Sequence, residues 1–323
     1  MSLDAEIAEL LPALDAGFPR VETMTALQLR AVIRQRVQRP SQPERVGRVL
    51  DQTVPGPADD INVRIYWPAT LLEPVPLVVF AHGGGFVFCD LDSHDELCRA
   101  MTNGIGAVVV SVDYRLAPES PWPAAAEDVY AVADWAEREA KALGGDPIRV
   151  VVAGDSAGGN LAAVTALLAR DRGLPRIAGQ LLLYPVLAAD FGTMSYRRFG
   201  TGYFNTAAAM AWYWDQYAPT LADRSHPYAS PLRARLAGVP PTAVVTAGFD
   251  PLCSEGEAYA KALAEESVTT IHRNYPGAIH GFMTMAGLGI CTRARNQAWA
   301  DISALLSRSL GMKSCHCSGQ AGR

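Results

Sequence analysis

From about residue 60 onward, apolar runs of strand length alternate with longer stretches of helical periodicity. Residues 61–67 alternate apolar and polar side chains, as a half-buried strand does. Later runs are continuously apolar, which is typical of parallel strands covered on both faces: 77–80, 107–112, 150–153, 180–184 and 243–246. Helical patterns lie between them at 124–142, 158–170, 255–265 and 294–310. This order predicts an α/β fold with a mostly parallel sheet and helices on both faces.

Two segments fall outside the alternation and look like additions to that core. Residues 1–45 are predicted to form two helices, at 5–14 and 26–37, and the second segment covers residues 188–240. Ten aromatic residues lie between 191 and 228, which indicates a small core of its own, the wall of an apolar ligand pocket, or both. We expect five aromatic residues to line such a pocket: Phe86, Tyr203, Phe204, Trp212 and Phe282.

The balance of charged residues excludes broad classes of partner. With 28 Lys and Arg against 33 Asp and Glu, the net charge is −5, so the chain has no general attraction to nucleic acid or to anionic membranes. Four arginines have helical spacing and are predicted to form a solvated helix face: Arg30, Arg34, Arg36 and Arg39. The first ten residues carry acidic rather than basic side chains, so we predict no secretion signal and a cytoplasmic location.

The six cysteines are scattered, and none forms a CxxC pair, which favours reduced thiols. The cluster Cys315, His316 and Cys317 supplies too few ligands for a closed metal site, so we predict no metal. The uncharged run 274–292 contains Pro and Gly residues and is expected to form buried loop and strand rather than a membrane span.

A glycine-flanked serine follows the predicted strand 150–153 and precedes a helical pattern. The sequence Gly154-Asp155-Ser156-Ala157-Gly158 is the GxSxG pattern of a nucleophile elbow, a sharp turn that exposes a reactive serine. Small residues at Gly154 and Gly158 let strand and helix cross closely, and the Ala157 N–H lies at a helix N-terminus, where it stabilises negative charge. The alternative is a dinucleotide-type phosphate turn, but no GxGxxG accompanies it.

Three consecutive glycines follow the predicted strand 77–80. The sequence His82-Gly83-Gly84-Gly85 matches the HGGG pattern, in which successive backbone N–H groups reach one oxyanion because no side chains intervene. We expect His82 to anchor this loop by hydrogen bonding rather than to act as a base.

An activated serine of this kind needs a carboxylate and then a histidine further along the chain. Five of the six histidines are disfavoured by their position before the serine, in the aromatic segment, inside a predicted strand at 271–275 or in the tail: His82, His94, His226, His272 and His316. His280 remains, in a predicted loop at 276–282. Asp250 follows the strand at 243–246 and is the predicted acid; its alternative role is to cap the helix that begins near residue 253.

Five motifs together resemble the bacterial hormone-sensitive-lipase-like esterases, in the branch with Asp rather than Thr before the serine. They are HGGGF at 82–86, YRLAPE at 114–119, GDSAGGNLA at 154–162, DPL at 250–252 and HGF at 280–282. The resemblance covers about residues 45–310 and implies an α/β-hydrolase fold. Its catalytic core is expected at 46–187 and 241–312, its cap at 1–45 and 188–240, and a flexible tail at 313–323.

The resemblance also implies the roles of individual residues. Ser156 is expected as the nucleophile, Asp250 as the acid and His280 as the base, in hydrolysis that needs no cofactor. The oxyanion donors that the resemblance implies are the backbone N–H groups of Gly84, Gly85 and Ala157, and we expect Gly83 of the HGGG pattern to belong to the oxyanion hole as well.

The predicted reaction is hydrolysis of short- to medium-chain carboxylic esters through an acyl-enzyme, by a monomer or homodimer. Two alternatives use the same three residues: an amidase or peptidase, and a lipase that acts at a lipid interface. The alternative of a different class is a noncatalytic hydrolase-like receptor, in which the base histidine is expected to be missing. His280 is present here.

Overall fold

The computed structural model describes residues 2–37, 42–71 and 73–316, with side chains as far as residue 308. Within these residues one sheet contains eight strands: β1 (Arg48–Val54), β2 (Ile61–Trp67), β3 (Val75–Ala81), β4 (Val108–Asp113), β5 (Gly145–Asp155), β6 (Ile177–Leu183), β7 (Thr242–Phe249) and β8 (Thr270–Ile279). Their order is β1-β2-β4-β3-β5-β6-β7-β8. β2 is antiparallel to β1 and β4, and all other neighbouring pairs are parallel.

Helices cover both faces of the sheet. Those of the described residues are α1 (Ala5–Gly17), α2 (Ala26–Arg36), α3 (Asp95–Ile105), α4 (Ala124–Arg138), α5 (Ala157–Arg172), α6 (Met194–Phe199), α7 (Ala207–Tyr217), α8 (Leu221–Ser225), α9 (Cys253–Glu265) and α10 (Gly289–His316). Apolar side chains of α4, α5 and α9 pack in the cluster on one face, and those of α3 and α10 in the cluster on the other. The predicted α/β fold with a mostly parallel sheet is confirmed.

The continuous apolar runs follow from this double coverage. Along β3, Leu77 and Val79 belong to the cluster with α4 and α5, whereas Val78 and Phe80 belong to the cluster with α3 and α10. All four side chains are fully buried. Because successive side chains of a strand point to opposite faces, a strand covered on both faces needs an apolar residue at each position.

The sequence did not predict β1 or α3, and it misplaced one boundary. β1 lies at the antiparallel edge of the sheet and is mostly half-buried or exposed, so it has no continuous apolar run. β8 continues to Ile279, paired with Phe249, so the loop predicted at 276–282 is wrong over residues 276–279. The predicted tail lies partly in α10 and partly outside the described residues; Cys317 and the side chains of Cys315 and His316 are not described.

The first segment forms α1 and α2 close to their predicted positions, and the aromatic segment contains α6, α7 and α8. The prediction of a solvated arginine face is wrong for Arg30. Its side chain is 16% exposed and hydrogen-bonds the carbonyl oxygens of Val87 and Ala117, because α2 lies against the loop after β3. Arg34 is exposed, and Arg39 lies outside the described residues. Within the described part of the chain, no helix has the length and apolarity to cross a membrane.

Candidate active site

Four residues singled out in the sequence each come directly after a parallel strand. His82 follows β3, Ser156 follows β5, Asp250 follows β7 and His280 follows β8. Parallel strands end at the same edge of a sheet, and these strands lie within one run of neighbours, from β3 to β8. The fold therefore brings the four residues to one edge, where ligands bind in open α/β sheets.

Ser156 occupies a strained turn between β5 and α5. Its backbone has φ 55° and ψ −117°, a combination that residues with a side chain rarely adopt. The turn is held because the Ser156 N–H donates to the Leu183 carbonyl at 2.9 Å and the Val186 N–H donates to the Ser156 carbonyl at 3.0 Å. A Cβ atom at Gly158 would overlap the carbonyl oxygen of Ala81, so the close crossing of strand and helix requires glycine there.

A continuous line of hydrogen bonds joins three side chains. His280 Nε2 lies 2.9 Å from Ser156 Oγ, and His280 Nδ1 lies 2.7 Å from Asp250 Oδ2. The other Asp250 oxygen accepts the Leu252 N–H at 3.0 Å. Asp250 is fully buried and His280 is 9% exposed. The residue that caps α9 is Leu252, so the alternative role of Asp250 as helix cap does not apply.

This arrangement fixes one tautomer of a neutral imidazole. With a proton on Nδ1 donated to Asp250, the lone pair on Nε2 is free to accept the Ser156 hydroxyl proton. The Tyr184 and His280 rings pack edge-to-face, with centroids 5.1 Å apart and an angle of 65° between the ring planes. The histidine is therefore held on two sides while its Nε2 faces the serine.

The glycine loop divides into two functional parts. The Gly83 N–H donates to Asp155 Oδ1 at 2.8 Å, so it is already engaged, and the prediction that Gly83 belongs to the oxyanion hole is wrong. The N–H groups of Gly84, Gly85 and Ala157 have no acceptor among the described residues. Gly84 has φ +110° and a Cβ there would overlap the Phe88 carbonyl, so the loop requires glycine at that position.

Asp155 ties this loop to the elbow. Its carboxylate also lies 3.1 Å from His94 Nε2, and His94 Nδ1 is 3.0 Å from the Ser93 hydroxyl. Burial alone would raise the pKa of Asp155, but His94 and the Gly83 N–H outweigh it and hold that pKa below its ordinary value. This contact was not predictable from the sequence, in which His94 is disfavoured only as a base, because nothing in the linear pattern pairs residue 94 with residue 155.

His82 is a buried, neutral part of the loop. Its Nδ1 lies 2.7 Å from the Gly83 carbonyl oxygen, and its ring stacks on Tyr114 with centroids 4.3 Å apart. The Tyr114 hydroxyl donates to the His82 carbonyl at 2.8 Å. Burial lowers the pKa of His82 to about 4, so the imidazole carries no charge at neutral pH.

A cavity of about 250 Å³ opens beside Ser156 and His280. Of the five predicted pocket residues only Phe204 lines it. Its other large apolar walls come from the first segment, the aromatic segment and the loop after β3: Phe18, Ile33, Phe88, Met210 and Tyr213.

The other four predicted pocket residues pack elsewhere. Phe86 stacks on Tyr217 with centroids 3.7 Å apart, Tyr203 contacts Phe249, Trp212 contacts Tyr213 and Phe282 contacts Tyr184. The prediction used the density of aromatic residues, whereas the face that each residue presents depends on packing between distant segments. Among the described residues, no three His, Cys, Asp or Glu side chains lie close enough together to hold a metal ion.

Comparison with known proteins gives the family. A family model described as the alpha/beta hydrolase fold matches residues 78–284. The chain is 40% identical over 304 residues to the esterase LipI of Mycobacterium tuberculosis, across 92% of this chain and 94% of LipI. The chain belongs to the hormone-sensitive-lipase-like carboxylesterases.

Other relatives agree with this assignment. The hydrolase is 43% identical over 235 residues to the carboxylesterase NlhH of the same organism, across 70% of this chain and 72% of NlhH. A solved thermostable esterase from Pseudomonas putida ECU1011 matches with a TM-score of 0.90 and 36% identity, over 94% of this chain and 98% of that chain. This hydrolase is a carboxylic ester hydrolase.

Proposed function

We propose that this protein is a serine esterase that hydrolyses short- to medium-chain carboxylic esters through an acyl-enzyme on Ser156. The observation that carries the proposal is the line of hydrogen bonds from Asp250 through His280 to Ser156, at 2.7 and 2.9 Å, which ends at the cavity. The nucleophile, its base and the group that orients the base are all within hydrogen-bond reach.

In the acylation half, His280 Nε2 takes the Ser156 proton as Oγ attacks the ester carbonyl carbon. The carbonyl oxygen becomes an oxyanion that accepts hydrogen bonds from the free N–H groups of Gly84, Gly85 and Ala157. The imidazolium then gives its proton to the departing alkoxide, and the acyl group stays on Ser156. Asp250 is fully buried beside the imidazole, where its charge stabilises the imidazolium.

In the deacylation half, water takes the place of the alcohol. His280 accepts a proton from the water, which attacks the acyl-enzyme carbonyl, and the same N–H groups stabilise the second oxyanion. Collapse returns the proton to Ser156 Oγ and releases the carboxylic acid.

The size of the cavity supports small substrates. At about 250 Å³ it is smaller than the roughly 300–1,000 Å³ typical of sites for drug-sized ligands. Its large walls are apolar, as an acyl chain requires. We therefore expect p-nitrophenyl butyrate to be cleaved faster than p-nitrophenyl palmitate, and a preference for the palmitate would contradict the size part of the proposal.

The test of the nucleophile is Ser156→Ala. We expect kcat on p-nitrophenyl butyrate to fall by roughly 10⁴- to 10⁶-fold, as for other serine nucleophiles that act with a histidine. Ser303→Ala, on α10 and bonded to the Trp299 carbonyl, is the control and should keep activity. Near-full activity of Ser156→Ala would overturn the proposal.

Two further measurements address the mechanism. A covalent serine reagent should label the peptide that contains Ser156, as mapped by mass spectrometry. Because His280 must be unprotonated at Nε2 to accept a proton, activity should fall at acid pH, and a flat profile from pH 5 to 9 would contradict the assignment.

A further inference from the structure

The cavity contains a polar side chain that the proposed mechanism does not use. Asn205 lines the cavity together with Ser156 and His280, and it is 9% exposed. Its side-chain Nδ2 is buried and has no hydrogen-bond partner among the described residues. Other described residues, such as Tyr217 and Tyr259, also have a buried polar atom without a partner, but among these residues Asn205 is the one that lines the cavity, where a bound molecule can approach it.

Neighbouring polar groups of the cavity wall are already engaged. The Thr284 hydroxyl donates to the Gly281 carbonyl at 2.8 Å, and the Ser93 hydroxyl donates to the Asp90 carbonyl at 2.7 Å. Asn205 differs from them because its amide nitrogen keeps a donor that no described residue accepts.

The position of Asn205 identifies which part of an ester it meets. α7 begins two residues later and reaches the glycine loop, since Tyr213 packs against Gly85. At the other end, the Phe204 ring lies 3.9 Å from the position of a Cβ at Gly281, next to His280. Asn205 therefore lies at the histidine end of the cavity.

The histidine end is where the alcohol part of the substrate must lie, because His280 gives its proton to the departing alkoxide. Resting on the function proposed above, we propose that Asn205 is a specificity-determining residue that hydrogen-bonds a second oxygen atom in the alcohol part of the ester. The substrate class it selects is esters of oxygen-bearing alcohols, such as glycol or polyol monoesters, over esters of simple alkyl alcohols.

The contacts that hold the local structure at Asn205 do not involve its side-chain amide, so a structural role can be distinguished from substrate recognition. The Asn205 backbone N–H donates to the Tyr203 carbonyl at 2.9 Å, a bond that does not need the side chain. The cap of α7 is Thr206, whose hydroxyl accepts the Ala209 N–H at 3.0 Å. Replacement of the Asn205 side chain therefore leaves both local contacts in place.

The test compares two esters of the same acid. 2-Hydroxyethyl butyrate and propyl butyrate have the same number of non-hydrogen atoms and differ by a hydroxyl in place of a methyl group. Hydrolysis is followed by titration of the released acid for the wild type, for Asn205→Leu and for Met210→Leu, a control on the same cavity wall. We expect Asn205→Leu to lower the hydroxyethyl-to-propyl ratio of kcat/KM by about threefold to tenfold, with kcat/KM on propyl butyrate nearly unchanged.

Two results would overturn the inference: an unchanged ratio in Asn205→Leu, or an equal loss on both esters, which would show a structural role. An equal fall in the ratio for Met210→Leu would also count against it. Ser156→Ala separates the two proposals. If only the inference fails, Ser156→Ala is still inactive on both esters; if the proposed function fails, Ser156→Ala remains active on them.

Discussion

The imidazole Nε2 of His94 lies 3.1 Å from Oδ1 of Asp155, and the same oxygen accepts the Gly83 N–H at 2.8 Å. Asp155 directly precedes Ser156, the proposed nucleophile, and Gly83 directly precedes the free N–H groups of Gly84 and Gly85. One buried carboxylate thus fixes the distance between the serine and the N–H groups proposed to stabilise the oxyanion.

Removal of this carboxylate should lower turnover more than substrate affinity. Asp155→Ala removes the acceptor 2.8 Å from the Gly83 N–H and the carboxylate partner of His94 Nε2, at a cost of about 1–3 kcal/mol, and lets the glycine loop move relative to Ser156. We expect kcat to fall about 10- to 100-fold with a smaller change in KM, measured on p-nitrophenyl butyrate. Asp301→Ala, which removes a buried carboxylate bonded to Arg273, is the matched control and should alter stability without changing kcat. Equal kcat values for Asp155→Ala and the wild type would contradict this role.

Arg30 should be sensitive to replacement by lysine. Its guanidinium donates to the Val87 and Ala117 carbonyls, both at 2.7 Å, and forms two hydrogen bonds to Glu119. A lysine ammonium cannot reproduce this fork, so α2, which contributes Ile33 to the cavity wall, should loosen. We expect Arg30→Lys to raise KM and to lower the free energy of unfolding by about 1–3 kcal/mol. Arg34→Lys, at an exposed position of the same helix, is the control, and an unchanged KM in Arg30→Lys would refute the prediction.

His82 should make stability depend on pH on the acid side. Burial lowers its pKa to about 4 in the folded chain, against an ordinary 6.5 when unfolded. Between these values the unfolded chain binds a proton that the folded chain does not, so stability is lost as the pH falls, by at most about 3 kcal/mol. Urea unfolding at pH 7 and 4.5 should show that the free energy of unfolding falls less on acidification for His82→Asn than for the wild type. His226→Asn, at an exposed histidine, is the control; equal acid losses for His82→Asn and the wild type would argue against the prediction.

Glu255 should tolerate glutamine but not alanine. It is 2% exposed, and its Oε1 accepts the Leu187 N–H at 3.0 Å. Burial raises the pKa of Glu255 well above its ordinary value, so the folded chain holds a proton there that the unfolded chain loses as the pH rises. Glu255→Gln keeps the acceptor without this proton, so its stability relative to the wild type should improve from pH 5 to pH 8.

Glu255→Ala should destabilise the protein by about 2–4 kcal/mol, because it leaves a cavity and an unpaired Leu187 N–H. Thermal or urea unfolding of the two variants at both pH values is the measurement. A glutamine variant that loses stability relative to the wild type as the pH rises would show that the buried carboxyl is ionised in the folded state.

The sequence was sufficient to predict residues that are placed simply by following the end of a strand. Ser156, Asp250 and His280 each directly follow a strand, and a parallel sheet brings such ends together whatever the details of packing. The sequence could not show that the Gly83 N–H is already hydrogen-bonded. That bond depends on the direction of the Asp155 side chain, 72 residues away. The walls Phe18 and Ile33 were missed for the same reason, since helices of the first segment reach the cavity only through tertiary packing.

The contact between His280 and Ser156 spans 124 residues of the chain, and it needs β8, the edge strand of the sheet. A partly folded molecule with β3, β5 and β6 in place has the residues that form the turn and the glycine loop, yet its serine hydroxyl lacks the contact with His280. Contacts between residues this distant in sequence slow folding, because the entropy of a long loop is lost before they form. If the proposed function holds, ester cleavage requires the edge strand to be docked. The rate at which activity appears during refolding then reports the completion of the sheet, and chains without β8 in place are inactive.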